Sequence, residues 1–240
     1  MKFGWIPDTP DHRDRKYGVS QPLSLPKELD LRKTVTFPEI WNQGHFNSCV
    51  WHAIPAAVEV ARQYAKQSIF MPSRMFGYYN TRKMENSEDS DPGCMIRNAI
   101  KSLAVDGCIS ESAWPYEEEY LFRQPPQMAY DLASKYQLLE YSRVNQDEAS
   151  VKSALVDGFP IIFGFSVYEN IAKVKDTLLP PQGSCIGGHA VLCIGYDKDY
   201  FLIRNSWGED WGDKGYFKMP YDYLLNPDLS DDLWIARLLE

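Results

Sequence analysis

The chain has 240 residues, 44% of them hydrophobic and 24% charged, and its net charge is -8. These values fit one large folded domain or two lobes sharing a core, and they exclude a disordered chain. The acidic balance excludes nucleic acid as a main partner, because phosphate binding needs a basic face. Without a run of 18 apolar residues there is no membrane-spanning helix to expect.

Residues 1–25 are polar, hold Pro7, Pro10 and Pro22, and lack a helical period, so they read as an extended surface arm. Trp5 is the exception in that arm. It either docks the arm on the surface or carries it into a cleft. The segment SCVWHAIPAAVEVARQYAK, from Ser48 to about Lys66, predicts the strongest helix, with Ser48 as N-cap and Pro55 as a kink. A short aromatic stretch with Tyr78 and Tyr79 precedes an acidic loop, and a second helix is expected from about Met95 to Val105, stopped by Gly107. RQPPQ, at Arg123–Gln127, marks a linker-like break between a helical lobe of about 26–126 and a β-rich lobe of about 127–240.

Beyond that break, Tyr136–Val144 is strand-like and Asp147 can cap a helix ending near Gly158. PIIFGFSV, HAVLCIGYD, YFLIRNSW and GYFKM predict four further strands. Helices early and strands late define an α+β protein with two packed parts. The five cysteines, at 49, 94, 108, 185 and 193, leave at least one thiol free and suggest a reducing compartment. With no apolar leader in the first residues, the expected location is cytoplasmic, or exported without a visible signal peptide.

Cys49 opens the strongest helix, where the partial positive charge of the helix start favours a thiolate. Gln43, six residues upstream, can donate from its side-chain amide to a developing oxyanion. His189 follows Gly187 and Gly188, and glycines there let another backbone approach closely. Asn205 closes the YFLIRNSW segment, where its amide can hold an imidazole in one tautomer. Singly, each residue has an ordinary packing or turn explanation. A zinc site from His45, Cys49 and His52 lacks the fourth ligand a closed site needs.

Together the residues resemble the papain-like cysteine peptidase family. The matching motifs are Gln43-Gly44, Ser48-Cys49, Gly187-Gly188-His189-Ala190-Val191, Asn205-Ser206-Trp207-Gly208, Trp211-Gly212 and Gly215-Tyr216, with Leu29-Asp30-Leu31-Arg32 as a weaker one. Cys49 and His189 are 140 residues apart, within the family range of about 130–150. The resemblance implies a two-lobed fold with a cleft between a helical lobe and a β-barrel-like lobe. It implies a Cys49 thiolate paired with a His189 imidazolium, Asn205 as orienter, Gln43 in the oxyanion site and Trp207 shielding the Asn205–His189 bond. Gly93, Gly164 and Gly188 would face substrate, and the two latter would leave a roomy pocket for a bulky apolar side chain, unless the far end of the chain fills it. A peptide or protein substrate, no cofactor and a monomer are expected. The rival readings are a silent binding module of the same fold and an acyl or amide transferase using the same pair.

Phe46 stands where the family has a bridged cysteine, and Val50 where it has an aromatic residue. One family disulfide is therefore absent, while pairings among Cys94, Cys108, Cys185 and Cys193 stay open. After Met219 the chain departs from the family pattern.

Overall fold

The computed structural model describes residues 2–18, 24–137 and 140–237. The first half supplies a two-residue strand, β1 (Leu29–Asp30), and the helices α1 (Val50–Tyr64), α2 (Arg74–Met84), α3 (Ile96–Asp106) and α4 (Gln127–Ala133). Then follow β2 (Glu140–Arg143), α5 (Glu148–Val156), β3 (Ile161–Tyr168), β4 (Cys185–Tyr196), β5 (Tyr200–Arg204), β6 (Tyr216–Pro220), the single turn α6 (Tyr221–Leu224) and β7 (Ser230–Arg237). The strands form one antiparallel sheet in the order β2-β7-β3-β4-β5-β6, with β1 added to β4. This is an α+β fold.

α1 is buried along almost its whole length, from Val50 to Arg62. It runs through Pro55 without interruption. The proline removes one backbone donor, and packing on every side of the helix outweighs that loss. Cys49, not Ser48, is the N-cap residue; the Ser48 hydroxyl instead meets Tyr116 Oη at 2.6 Å. α2 takes in Tyr78, Tyr79 and the Thr81–Met84 stretch expected in a loop. Its signal was a cap, since Ser73 accepts from the Phe76 N–H, but burial from Arg74 to Arg82 leaves no polar face to mark a period. α3 falls where expected and ends at Gly107, whose φ of 75° suits glycine.

α4 begins at the linker-like break, and its Tyr130 donates to Asn80 Oδ1 on α2 at 2.7 Å. Of the strand expected over Tyr136–Val144, β2 covers Glu140–Arg143, while residues 138–139 lie outside the described residues. Asp147 caps α5 by accepting from Ser150 N–H. The tail that departed from pattern contributes β7, which pairs with both β2 and β3. Two buried clusters hold the molecule. One joins the helices to one face of the sheet through Trp51, Phe76, Leu192 and Trp234. The other packs the opposite face against α5 through Phe163, Phe165, Leu155 and Phe201.

All five cysteines are free thiols, which closes the pairings left open by the spacing.

Candidate active site

α1 delivers Cys49 at its N-terminal end, and the sheet delivers the other groups. His189 lies in β4, which pairs with β5 up to Leu192↔Arg204, and Asn205 is the next residue after that pair. His189 Nε2 and Asn205 Oδ1 are 2.7 Å apart. An amide oxygen only accepts, so Nε2 carries the proton and Nδ1 is the basic nitrogen of the neutral ring. Trp207 stacks on the imidazole, with centroids 4.3 Å apart and planes at 21°. Ala190 N–H donates to Cys49 Sγ at 3.3 Å.

Gln43 is held on both sides. Its backbone N–H donates to Ser206 O at 2.9 Å, and Ser206 Oγ–H donates to Oε1 at 2.8 Å. Its Nε2 donates to Phe46 O at 2.8 Å and reaches Lys2 O at 3.3 Å. Ser206 was not singled out in the sequence, although it sits inside the Asn205-Ser206-Trp207 motif. Its partner is 163 positions away, so no local signal marks it. His52 is a packing residue: its Nδ1 meets Ser48 O at 3.0 Å and Arg74 donates to its Nε2, also at 3.0 Å.

The arm occupies the cleft and does not merely staple the surface. Cys94 N–H donates to Gly4 O at 2.8 Å, Ile6 N–H to Cys94 O at 3.1 Å, and Trp5 N–H to Gly188 O at 2.9 Å. Trp5 thus forms a parallel bridge with Cys94. The three glycines assigned to substrate all face this arm. A Cβ on Gly93 would come within 2.0 Å of Gly4 O, one on Gly164 within 2.0 Å of the Trp5 ring, and one on Gly188 within 2.7 Å of it. Gly93 also has a φ of 95°, so a side chain there is excluded by both backbone and space. Phe3 packs edge-on against His189 and Trp207, at 6.4 and 6.1 Å.

Burial in the filled cleft disfavours both charged forms. It pushes the Cys49 thiol up to about 11, against the opposing pull of the Ala190 and Gly4 amides and those at the start of α1. It pushes the His189 imidazole down to about 4, although the bond to Asn205 works the other way. His189 Nδ1 has no hydrogen-bond partner among the described residues. With the cleft filled, burial works against both the thiolate and the imidazolium, because charged forms lose their hydration in a dry cleft.

A helix-borne thiol facing a sheet-borne, amide-held imidazole is the arrangement of a cysteine peptidase. The family model of the papain family cysteine proteases matches residues 25–225, and the chain belongs to that family. It is 35% identical over 268 aligned positions to an uncharacterized peptidase C1-like protein of Acanthamoeba polyphaga mimivirus, covering 98% of this chain and 86% of that one. Among solved structures it resembles xylellain, a cysteine protease from Xylella fastidiosa, at a TM-score of 0.94 and 38% identity, covering 99% of this chain and 96% of that one. Digestive procathepsin L 3 of the Tenebrio molitor larval midgut shares the fold at a TM-score of 0.78 and 20% identity, covering 95% and 75%. The protein is an enzyme of the cysteine peptidase class.

Proposed function

We propose that the protein is an endopeptidase that hydrolyses peptide bonds through Cys49 and is held closed by its own arm. The observation that carries this is the convergence of Cys49, His189, Asn205 and Gln43 on one cleft whose glycine walls already hold a peptide backbone. Once the arm leaves, water returns and the charged pair becomes accessible. His189 Nδ1 takes the Cys49 proton, and the sulfur attacks the substrate carbonyl carbon. The carbonyl π pair moves to oxygen, which gains donors from Gln43 Nε2 and the Cys49 backbone N–H. The imidazolium returns its proton to the leaving amine, and water, deprotonated by His189, then cleaves the acyl-enzyme. Asn205 keeps Nε2–H in place, and Trp207 covers that bond.

Lys2 O already occupies an acceptor position on Gln43 Nε2, where the developing oxyanion would lie. Gln43→Ala is expected to lower kcat by about 10²–10³-fold with little change in KM, because the donor is most needed in the transition state. A KM effect alone, measured by steady-state hydrolysis of a peptidyl coumarin, would remove Gln43 from the oxyanion site.

A cleft whose two walls both bond to a peptide backbone favours cleavage within a chain. The test is mass spectrometry of an internally cleaved, end-blocked peptide incubated with the protein and an added amine acceptor. Free acid that depends on Cys49 supports hydrolysis, whereas amide products would assign the protein to acyl transfer instead.

A further inference from the structure

The backbone N–H of Cys49 shares a peptide plane with the Ser48 carbonyl, and the bond between them is trans. In such a plane the N–H and the C=O point in opposite directions, so whatever holds Ser48 O also aims Cys49 N–H. Among the described residues Cys49 N–H makes no backbone hydrogen bond, which leaves it free to donate to a ligand.

Ser48 is buried and held at both of its polar groups. Tyr116 Oη–H donates to Gln43 O at 2.9 Å, so the same oxygen accepts from Ser48 Oγ–H at 2.6 Å. The backbone N–H of His52 goes to Cys49 O at 3.0 Å and does not serve the Ser48 carbonyl. The His52 side chain does, with Nδ1 3.0 Å from Ser48 O. A carbonyl only accepts and a guanidinium only donates. The ring proton therefore sits on Nδ1 facing Ser48, and the Nε2 lone pair faces Arg74 Nη1 at 3.0 Å. Arg74 is fixed in turn. Its backbone N–H and Nε–H donate to Glu111 at 2.9 and 3.1 Å, and its guanidinium lies over the Trp41 and Tyr116 rings.

We propose that His52 is a positioning residue for peptide hydrolysis, which holds Ser48 O and so aims the Cys49 N–H at the developing oxyanion. The proposal rests on the peptidase reading above and supplies what orients the second donor of its oxyanion site. Arg74 selects the tautomer that makes the bond, Glu111 holds Arg74, and Tyr116 pins the other end of Ser48. A hydrogen bond accepted at the carbonyl also polarises the amide, which strengthens its N–H as a donor. His52 takes and gives no proton in turnover, unlike His189. The plainer role for His52, satisfying a buried carbonyl, would move every property of Cys49 together.

The test compares His52→Phe, which fills the site without a donor, with His52→Asn, whose amide N–H can stand where Nδ1–H stood. Both are made in the full-length chain. His52→Phe is expected to lower kcat for a peptidyl coumarin about 10–10²-fold with KM changed less than about twofold. Affinity for a peptide aldehyde should fall about tenfold, because its carbon bonds to Sγ while its oxygen takes the thiol proton and lies in the oxyanion site. Alkylation by iodoacetamide displaces iodide at a saturated carbon and builds no such oxygen, so its rate should stay within about twofold. His52→Asn should recover most of both losses. Equal losses in aldehyde affinity and alkylation would reduce His52 to a structural role and overturn the proposal. So would unchanged aldehyde affinity, or an Asn variant no better than Phe. Should His52→Phe fail to fold, Tyr116→Phe, which frees the other end of Ser48, gives the same comparison. A ¹⁵N spectrum of the unsubstituted chain placing the His52 proton on Nε2 overturns the proposal with no variant made. Aldehyde binding without peptide hydrolysis would sink the peptidase reading, while the aldehyde-to-alkylation comparison would still decide the role of His52.

Discussion

Trp5→Ala in the full-length chain is expected to speed alkylation of Cys49 by iodoacetamide about 10²–10³-fold at pH 6–7. The indole is only 9% exposed, and a tryptophan buries about 150–250 Å², or roughly 4–6 kcal/mol at about 25 cal/mol per Å². That area figure is an upper estimate, and Trp→Ala in cores costs about 3–5 kcal/mol. Each 1.4 kcal/mol is about tenfold in the fraction of open cleft. The remaining anchors keep the arm from leaving altogether: Ile6 on Cys94, Trp234 Nε1–H on Asp8, and Arg97 on Asp14 and Thr9 O. An unchanged alkylation rate would mean that the arm does not control access to the thiol.

The same arm carries a pH dependence of determinable sign. Burial, and then the neighbouring Asp232, raise the Asp8 carboxyl from 3.8 to about 7, and the Asp232 carboxyl is raised as well, chiefly by burial. Arg97 and Trp234 oppose the rise at Asp8, and Arg143 opposes it at Asp232. The closed state thus binds a proton that a solvated Asp8 would release. By linkage, the contribution of Asp8 to closure is fully present below about pH 4 and is lost as pH rises through 7. Asp8→Asn, which cannot ionise, should come near the unsubstituted chain at pH 4 and open about 10²–10³-fold less at pH 7.5. The rate ratio of the two proteins removes the thiol's own titration. A ratio flat with pH would show that these carboxyls do not bias the arm.

His189→Ala is the second large effect. Measured against a Trp5→Ala background so that the cleft opens more often, it should lower kcat for peptide hydrolysis by at least about 10³-fold. It should also slow alkylation of Cys49 at pH 5 by about 10²-fold or more. A thiol paired with imidazolium can titrate near 3–4, whereas an unpaired one near 8.5 is scarcely ionised at pH 5. Cys49→Ala should abolish both signals. Persistent fast labelling of Cys49 without His189 would mean that the start of α1 alone activates the sulfur, and the base would have to be sought elsewhere.

What could be read along the chain was whatever depends on near neighbours. The helix opened by Cys49, the cap at Asp147, the stop at Gly107 and the strands of β3 to β6 rest on spacing and on local backbone preferences. The candidate site was legible for the same reason: Cys49, His189 and Asn205 each sit in a short motif of distinctive residues. Gln43 was legible as a donor, but Ser206, which aims it, was not, because they meet only after folding.

Tertiary structure decided the rest. α2 is buried from Arg74 to Arg82 and shows no amphipathic stripe, so beyond the Ser73 cap only packing reveals it as a helix. β7 became a strand inside the sheet because β2 and β3 lie on either side of it. Glycines at 93, 164 and 188 announced a close approach, but only the fold shows that the chain's own arm makes it. The charge state of Cys49 and His189 is likewise not a property of their motifs. A thiol at a helix start and an imidazole held by an amide are poised to ionise in a wet cleft. In the closed molecule, where Phe3 packs against His189 and Gly4 lies beside the thiol, burial shifts both groups toward their neutral forms.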